Sequence, residues 1–343
     1  MNLSERKKKI LSAVIDESIK TAEPVSSRDV QEKYVREYSP ATIRNELMAL
    51  EEMGFLFQPH TSSGRIPTAE GYKMYVDELM QIKKLSKKET EQIRESFEGK
   101  LSSLDDIMQK TARIISDVTN YASVVYFGIA NHATIDKILL VPLSPRSTLV
   151  VVSTDLGVIK EETSLIRASE EDLRQASKIL TNSFKGKRLE DVEQGYFLVS
   201  NELSKYKEIF DTIIQIITTR DNDITKNMAV SGKEKLLNYP EYHDINKLKN
   251  TISIFDNKDV LFPLISGDNN LEISVKVGGD EKLGITDCSV VSATYKLNGK
   301  TIGSAGVVGP LRMDYAKVVS ILKNVTDVLE DNLNFSGKEN KDE

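Results

Sequence analysis

The stretch Tyr38–Leu79 constrains the fold more than any other part of the chain. The pair Ser39-Pro40 predicts a helix start, because serine caps helices and proline fits their first turn. Gly54 predicts the end of that helix, since glycine readily adopts the left-handed backbone found at helix ends. Between them, apolar residues recur at i, i+4 and i+7, the spacing of one buried helix face: Ile43, Leu47 and Leu50.

A short hairpin is predicted directly after this helix. Two extended runs, Phe55–Gln58 and Arg65–Thr68, flank a turn-prone segment of proline, glycine and hydroxyl residues. Two further helices are predicted before it, one from Ser4 to Thr21 and one beginning at Ser26. Three short helices and a hairpin predict a winged helix-turn-helix, whose third helix enters the major groove of DNA.

The predicted third helix turns a polar face away from its apolar one, because successive residues are rotated by about 100°. Arginine pairs with guanine, asparagine pairs with adenine, and apolar groups touch the thymine methyl. The alternative is an ordinary amphipathic helix whose outer face is only solvated. We predict that the residues at the start of this helix contact DNA: Ser39, Ala41, Thr42, Arg44, Asn45 and Met48.

Cations and hydroxyl groups around this helix are predicted to contact the DNA backbone. Three consecutive lysines crowd the first turns of the first helix, where the helix dipole disfavours positive charge. A phosphate partner would explain them, and a solvated charged face is the alternative. The predicted set comprises Lys7, Lys8, Lys9, Ser26, Ser27 and Arg28, together with the hairpin residues His60, Thr61, Ser62, Ser63, Gly64 and Arg65.

Overall charge does not favour nucleic acid. The chain has 46 Lys and Arg against 52 Asp and Glu, a formal net charge of −6. Residues 1–84 hold 13 of each sign, so the first helices are neutral as a group. A surface that neutralises phosphates needs local positive charge. A DNA-binding face must therefore come from the placement of the cations and not from their total.

Several classes of protein are disfavoured. We find neither a Walker-type phosphate loop nor a G-x-S-x-G elbow, so we expect no enzyme activity and no cofactor. A single cysteine, Cys288, and three histidines make a metal site improbable and exclude an internal disulfide. No apolar run approaches the roughly 18 residues of a membrane span, and no export signal is evident. We expect a cytoplasmic protein that does not bind membranes.

The remaining chain predicts a mixed α/β region. A long helix is expected over 87–120, and a helix over 208–229 precedes further helical and strand-rich segments. Predicted strands cover 122–130, 135–143, 147–154, 157–163, 271–277, 288–297 and 300–308.

The helix predicted over 208–229 is unusually apolar. Such a stripe is buried either against its own core or against a second copy of the chain. We predict a dimer interface, with the chain's own core as the alternative. The residues concerned are Ile209, Phe210, Ile213, Ile214, Ile216 and Ile217.

Three segments closely resemble the HrcA family of bacterial heat-inducible transcription repressors. They are YSPATIRNELMALEEMGFL (38–56), TSSGRIPTAEGYKMYVDEL (61–79) and GVVGPLRMDYAKV (306–318), of which PLRMDY fits a family signature. The resemblance implies a homodimer that represses chaperonin and chaperone operons by binding double-stranded DNA at an inverted-repeat operator called CIRCE. It also implies that the chaperonin GroEL modulates activity by holding the active form.

The same resemblance implies an α+β multidomain fold. A winged helix-turn-helix would cover 1–82, and 83–132 would form a linker and long helix leading into a GAF-like α/β domain. An inserted dimerising domain, a three-stranded antiparallel sheet with helices, would interrupt it over 133–238. The GAF-like domain would resume over 239–335, and 336–343 would be a disordered tail. A GAF-type regulator that senses a small ligand is the alternative function.

Overall fold

The chain divides into two compact units. The computed structural model describes residues 3–61, 63–97, 104–128, 134–154, 157–166, 168–188, 192, 207–218, 228–266, 272–278, 285–297 and 300–339. Unit 1 comprises Met1–Tyr126, Ala229–Tyr295 and Ser304–Leu329, and unit 2 comprises Phe127–Met228, Lys296–Gly303 and Glu330–Glu343. The domain boundaries given by the sequence stay a prediction.

Unit 1 begins with the three helices and the hairpin that the sequence predicts. The helices are α1 (Glu5–Thr21), α2 (Ser27–Lys33) and α3 (Pro40–Glu52). The hairpin pairs β1 (Leu56–Phe57) with β2 (Ile66–Pro67) in antiparallel register. Helix α4 (Ala69–Met74) follows and continues into a π-helical turn, Tyr75–Leu79.

Local chemistry explains the ends of these helices. The hydroxyl groups of Ser4, Ser26 and Ser39 cap α1, α2 and α3 by accepting backbone N–H groups of the first turn. Gly54 has φ +82°, the left-handed backbone that ends α3 at little cost. The core between the helices is fully buried and aliphatic: Ile10, Leu11, Val14, Ile15, Val30, Ile43 and Leu50.

Two helices and a strand come next: α5 (Lys87–Phe97), α6 (Leu104–Thr119) and β3 (Ala122–Phe127). The sequence predicts a single helix over 87–120. The structure gives its two ends as α5 and α6, and residues 98–103 lie outside the described part of the chain.

Unit 2 contains a three-stranded antiparallel meander with helices on one face. The strands β4 (Ile135–Ser144), β5 (Ser147–Thr154) and β6 (Gly157–Ser164) lie in that order. The helices are α7 (Glu170–Phe184) and α8 (Lys207–Thr218). Because alternate strand residues face opposite sides of a sheet, only one face contributes to the core. That core includes Ile138, Leu140, Val150, Val152, Leu173, Leu180, Phe184, Phe210 and Ile213.

The apolar stripe of α8 belongs to this core. Five of its members are only 0–8% exposed in the single chain: Ile209, Phe210, Ile213, Ile214 and Ile216. In the single chain the stripe packs in the core of unit 2, as the alternative expects, and its part in a dimer interface stays a prediction. The side chain of Ile217 lies outside the described part of the chain.

The rest of the chain lies mainly in unit 1, with Lys296–Gly303 and Glu330–Glu343 in unit 2. The elements are β7 (Met228–Ser231), 3₁₀ turns over Lys233–Asn238 and Pro240–His243, α9 (Ile245–Asp256), α10 (Lys258–Ile265), β8 (Ile273–Lys276), β9 (Cys288–Leu297), β10 (Lys300–Pro310) and α11 (Tyr315–Glu339). Met228 and Ala229, predicted as helix, lie in β7, because pairing within a sheet overrides local propensity. Residues 336–339, predicted as disordered tail, continue α11. Among the described helices, none is long and apolar enough to cross a membrane.

A five-stranded sheet, carried mainly by unit 1, has the order β7–β3–β10–β9–β8. Strands β8 and β9 are antiparallel. The consecutive residues Val124 and Val125 of β3 are both fully buried, so both faces of the sheet are covered there. Helix α11 contributes Ile321, Leu322 and Val325, which are fully buried.

Candidate nucleic-acid interface

Helix α3 presents two opposite faces. The inward face is formed by Ile43, Glu46, Leu47 and Leu50, all of them buried. The outward face is formed by Ala41, Arg44, Asn45 and Met48, all of them exposed. Both sets follow the spacing i, i+3, i+4, i+7, which places each set along one side of a helix. The sequence prediction that Arg44 and Asn45 point outward is confirmed, whereas their contact with DNA stays a prediction.

Arg44 and Asn45 have no partner among the residues that the structure describes. Across the described residues, the Arg44 guanidinium has no ion pair and no hydrogen bond, and the same holds for the Asn45 amide. The Met48 side chain is 48% exposed. The outward face therefore offers donors, an acceptor and an apolar group that no described residue occupies.

Glu46 fixes α3 against α1. Its side chain is only 7% exposed, and its Oε1 accepts a hydrogen bond of 2.6 Å from Arg6 Nε. Its Oε2 lies 2.7 Å from Lys7 Nζ. Burial opposes ionisation of this carboxyl, but the hydrogen bonds from Lys7 and Arg6 outweigh it and lower the pKa of Glu46. The outward face of α3 is thus held in place by a charged contact on the opposite side.

The other cations predicted to bind phosphates also have carboxylate partners. Lys8 Nζ lies 3.0 Å from Glu78, and Lys9 Nζ lies 3.6 Å from Glu37. Arg28 donates to Glu32 over 2.7 Å, although its side chain is 81% exposed. The Lys9 and Arg28 pairs are exposed, and exposed pairs contribute little to stability, so these two cations can turn to a phosphate at small cost. The Lys8 side chain is only 24% exposed, so its pair with Glu78 is more shielded from water.

The predicted serines act first as helix caps. Ser26 Oγ accepts from Asp29 N over 3.2 Å, and the Asp29 carboxylate accepts from Ser26 N over 3.1 Å. Hydrogen bonds from Ser26 lower the pKa of Asp29. Ser39 Oγ accepts from Thr42 N over 3.1 Å and lies 2.9 Å from Thr42 Oγ1. Ser27 is half-buried. Contact of these residues with DNA stays a prediction.

Glu51 connects α3 to the hairpin, which forms the wing. Its Oε1 accepts from Gln58 N over 3.1 Å, and its Oε2 lies 2.8 Å from Arg65 Nε. The Arg65 side chain is only 13% exposed. Arg65, predicted to contact phosphate, is therefore placed at the base of the wing, where it pairs with the recognition helix.

The wing turn is organised by its own side chains. Gln58 Nε2 donates to the carbonyls of Thr61 and Ser63 over 3.0 and 2.9 Å. Ser63 Oγ donates to the His60 carbonyl over 2.6 Å. His60 and Thr61 are exposed, whereas Ser63 is half-buried and Ser62 lies outside the described residues. Side chains of the wing thus bind three of its own backbone carbonyls, those of His60, Thr61 and Ser63.

Gly64 has a packing role. A Cβ at this position would lie 2.4 Å from the backbone carbon and oxygen of Val25. The next residue, Arg65, exchanges two backbone hydrogen bonds with Val25, of 2.9 and 2.8 Å. Only glycine permits this approach of the wing to the segment between α1 and α2.

Sequence reasoning missed three positioning residues: Glu46, Glu51 and Gln58. Only Glu46 could have been recognised from the sequence. Glu46 lies three residues after Ile43 on the predicted inward face, and a buried carboxylate requires a cation. The lysine run of α1 offered that cation. Neither Glu51 nor Gln58 breaks a local pattern, because their partners are fixed only by the folded hairpin.

Two family models match the chain. The model described as "Winged helix-turn-helix transcription repressor, HrcA DNA-binding" matches residues 2–81. The model described as "HrcA protein C terminal domain" matches residues 105–319. Together they cover most of the chain.

Curated relatives and a solved structure agree with these models. The chain is 38% identical to the heat-inducible transcription repressor HrcA of Pelotomaculum thermopropionicum, over 96% of this chain and 98% of the relative. It is 34% identical to the protein of the same name from Bacillus pumilus, over 96% and 98%. A crystal structure of a hypothetical protein at 2.2 Å resolution covers 97% of this chain and 99% of its own, with a TM-score of 0.61 at 22% identity. This last match concerns the fold alone.

Proposed function

The chain belongs to the HrcA family of heat-inducible transcription repressors, and we propose that it represses chaperonin and chaperone operons by binding the CIRCE inverted repeat as a homodimer. One observation carries the proposal. The outward face of α3 is exposed and meets no partner among the described residues, while Ile43, Leu47 and Leu50 bury the opposite face and Glu46 pairs there with Lys7. A helix that is rigidly held and chemically free on its outer side is suited to enter a major groove.

Each residue of the outward face has a defined part in this proposal. Arg44 donates two hydrogen bonds to a guanine, and Asn45 pairs with an adenine through its amide. Ala41 and Met48 pack against thymine methyl groups. These contacts carry the sequence information.

The contacts around α3 orient the protein on the DNA backbone. We assign phosphate contacts to Lys8, Lys9 and Arg28, and wing contacts to His60 and Thr61. Such contacts give affinity without sequence information and make it depend on salt. Lys7 and Arg65 are assigned to the support of α3, because both face carboxylates of that helix.

A homodimer is the arrangement that an inverted repeat requires, because the two-fold symmetry of the site matches that of the protein. We assign the interface to the open face of the meander in unit 2. Leu139 pairs with Val151 and Val141 with Leu149 across β4 and β5. Val141 and Leu143 are 42% and 56% exposed, so this face remains apolar in the single chain.

We further propose that GroEL raises the fraction of chain in the DNA-binding form. Family membership supports this step. A partner that binds a form on the way to the active state, and releases it folded, links repression to free chaperonin by mass action. Misfolded proteins that occupy GroEL then relieve repression.

A binding titration tests the proposal. Fluorescently labelled duplexes carrying the CIRCE repeat, one half-site, or a scrambled sequence are titrated with the full chain, with and without GroEL and ATP. We expect the repeat to bind at least about 10³-fold more tightly than the scrambled duplex. GroEL should raise the active fraction of the repressor. Equal affinity for the repeat and the scrambled duplex would overturn the proposed function.

A further inference from the structure

The segment Pro310–Tyr315, which joins β10 to α11, contacts the N-terminal helices of unit 1. Arg312 Nη1 donates to the carbonyl oxygen of Ile19, in the last turn of α1, over 3.3 Å. The same guanidinium pairs with the Glu241 carboxylate. It also lies over the Tyr239 ring, 5.5 Å from the centroid. Arg312 thus joins α1 to the 3₁₀ region that follows β7.

Two neighbours of Arg312 also contact the winged helix or the residues just after it. The Asp314 carboxylate lies 3.4 Å from Lys83 Nζ, just after the winged helix. The Tyr315 ring lies 6.2 Å from the Tyr72 ring of α4, between centroids. Further along α11, Ser320 donates a hydrogen bond to the Lys83 carbonyl. Arg312, Asp314 and Tyr315 of this segment, and Ser320 of α11, therefore all contact the winged helix or Lys83 just after it.

The Arg312 contact has a clear physical basis. The last carbonyls of a helix lack partners within it and carry partial negative charge, which favours a cation. Helix α1 ends at Ala22, whose φ is 60°. The Arg312 side chain is only 15% exposed, so its charge is largely shielded from water and depends on Glu241 and the helix end. A side chain bound on three sides holds the surfaces that it joins in one orientation.

We propose that Pro310–Tyr315 is the docking site that fixes the winged helix on the rest of unit 1, with Arg312 as its positioning residue. The consequence for DNA rests on the proposed function. Docking fixes each recognition helix on its own unit 1, and this narrows the range of separations open to the two recognition helices of a dimer. The protein then selects the spacing between half-sites as well as their sequence, because half-sites lie about one helical turn or a multiple of it apart.

Hydrogen exchange of the full chain tests docking without DNA. We compare Arg312→Ala, Arg312→Lys with Asp314→Asn, and a matched control, Arg174→Ala. Asparagine at 314 can still accept from the Lys317 amide, as Asp314 does over 3.2 Å, so the start of α11 is kept. Arg174 is an exposed arginine of α7 paired with Glu170.

Both docking variants should raise amide exchange over residues 19–22 and at Met80, whose amide donates to the Tyr75 carbonyl, by about tenfold, with the core of α1 unchanged, because local opening exposes only the elements that undock. The control should leave these amides unchanged. Unchanged exchange in Arg312→Ala and in the double variant would overturn the proposal.

Spacing variants of the inverted repeat test the consequence. The spacer is lengthened by half a helical turn and by a full turn, and a single half-site is included. Wild type should lose about tenfold or more in affinity on the half-turn spacer, whereas Arg312→Ala should lose less than about threefold, because a flexible tether tolerates a wider range of geometry. Half-site affinity should be equal in both proteins.

Failure of the proposed function and failure of the docking proposal give different results. A wild type that binds no duplex specifically would overturn the proposed function, and the exchange result would still decide docking. A wild type that binds specifically, with the same spacing profile as Arg312→Ala, would overturn the role of Arg312.

Discussion

Glu46 on the inward face of α3 lies 2.7 Å from Lys7 Nζ of α1. One of the three consecutive lysines that suggested a phosphate contact is therefore used to hold the recognition helix. Arg6 shares the same carboxylate through a hydrogen bond of 2.6 Å. The charge at the start of α1 has two parts: cations that support α3, and cations whose partners are exposed.

Arg44→Ala should lower discrimination between the operator and operators with one substituted base pair. Loss of a bidentate arginine–guanine contact costs about 1–3 kcal/mol on the cognate site. Competition binding measures both affinities. Arg94→Ala, an exposed arginine of α5, serves as the charge-matched control. An equal loss on cognate and scrambled duplexes would show that Arg44 does not read bases.

Lys8→Ala should weaken binding to all duplexes alike. A lysine that contacts one phosphate contributes about 0.9 to the slope of log K against log salt concentration, and the variant should lose that amount. Binding at several salt concentrations gives the slope. Glu78→Ala removes the partner of Lys8 and should leave the slope unchanged or steeper. A slope that is unaffected by Lys8→Ala would assign this lysine to the solvated face.

Glu46→Gln should destabilise the winged helix at neutral pH by about 1–3 kcal/mol, because two cations lose a buried carboxylate. The folded state lowers the pKa of Glu46, so its contribution is present above the pKa of the unfolded chain and is lost as pH falls through the folded pKa. Thermal unfolding between pH 7 and about pH 3 measures this, starting from an unfolded glutamate pKa of about 4.3.

The wild type should lose stability over that acid range more steeply than Glu46→Gln. Glu78→Gln is the control, because its carboxylate is 42% exposed and its pair with Lys8 should contribute under about 1 kcal/mol. Parallel pH profiles for wild type and Glu46→Gln would contradict the assignment.

Gly64→Ala should separate the wing from the segment between α1 and α2. Its new Cβ would overlap the Val25 carbonyl, and overpacking of this kind costs about 1–3 kcal/mol. Hydrogen exchange should show faster exchange at the Val25 and Arg65 amides. Gly54→Ala strains the backbone at φ +82° but meets no atom within 4 Å. It should lower the melting temperature and leave those two amides protected.

Val141→Asp with Leu143→Asp should convert the dimer to a monomer that remains folded. Both side chains are exposed in the single chain, so the substitution removes only surface that a second copy would cover. Sedimentation velocity and circular dichroism report mass and fold. Leu237→Asp with Ile245→Asp, two exposed apolar residues of unit 1, is the control. A dimer of unchanged strength would remove this face from the interface.

Ile213→Asp should behave differently, because this side chain is fully buried in unit 2. Burying a carboxylate there should cost more than about 4 kcal/mol and unfold the unit. If Ile213→Asp gave a folded monomer, that result would support the original prediction that α8 forms the dimer interface.

The sequence predicted the winged helix well because its signals are local. Ser39 and Pro40 start α3, Gly54 ends it, and apolar spacing defines its buried face. Each of these features acts within a few residues of the chain. The outward position of Arg44 and Asn45 follows directly from helical rotation.

Other features depended on distant residues and could not be predicted. An isoleucine stripe has the same pattern whether it packs on its own sheet or on another chain. In the single chain the α8 stripe packs with residues of β4 and β5 in the core of unit 2. Met228 and Ala229 were predicted as helix, but they form strand β7, which pairs with β3 in the sheet. Arg65 was predicted as a cation of the wing tip, but in the structure it pairs with Glu51 at the base of the wing.

The wing turn also controls which atoms meet a polyanion. Backbone carbonyl oxygens repel phosphate oxygens, since both carry lone pairs and negative partial charge. The carbonyls of Thr61 and Ser63 already accept from Gln58, and that of His60 accepts from Ser63. Each of these three carbonyl oxygens thus has one lone pair already engaged by a donor within the loop. In a complex with a duplex, these three carbonyls would repel phosphate less, although the tip itself carries no lysine or arginine.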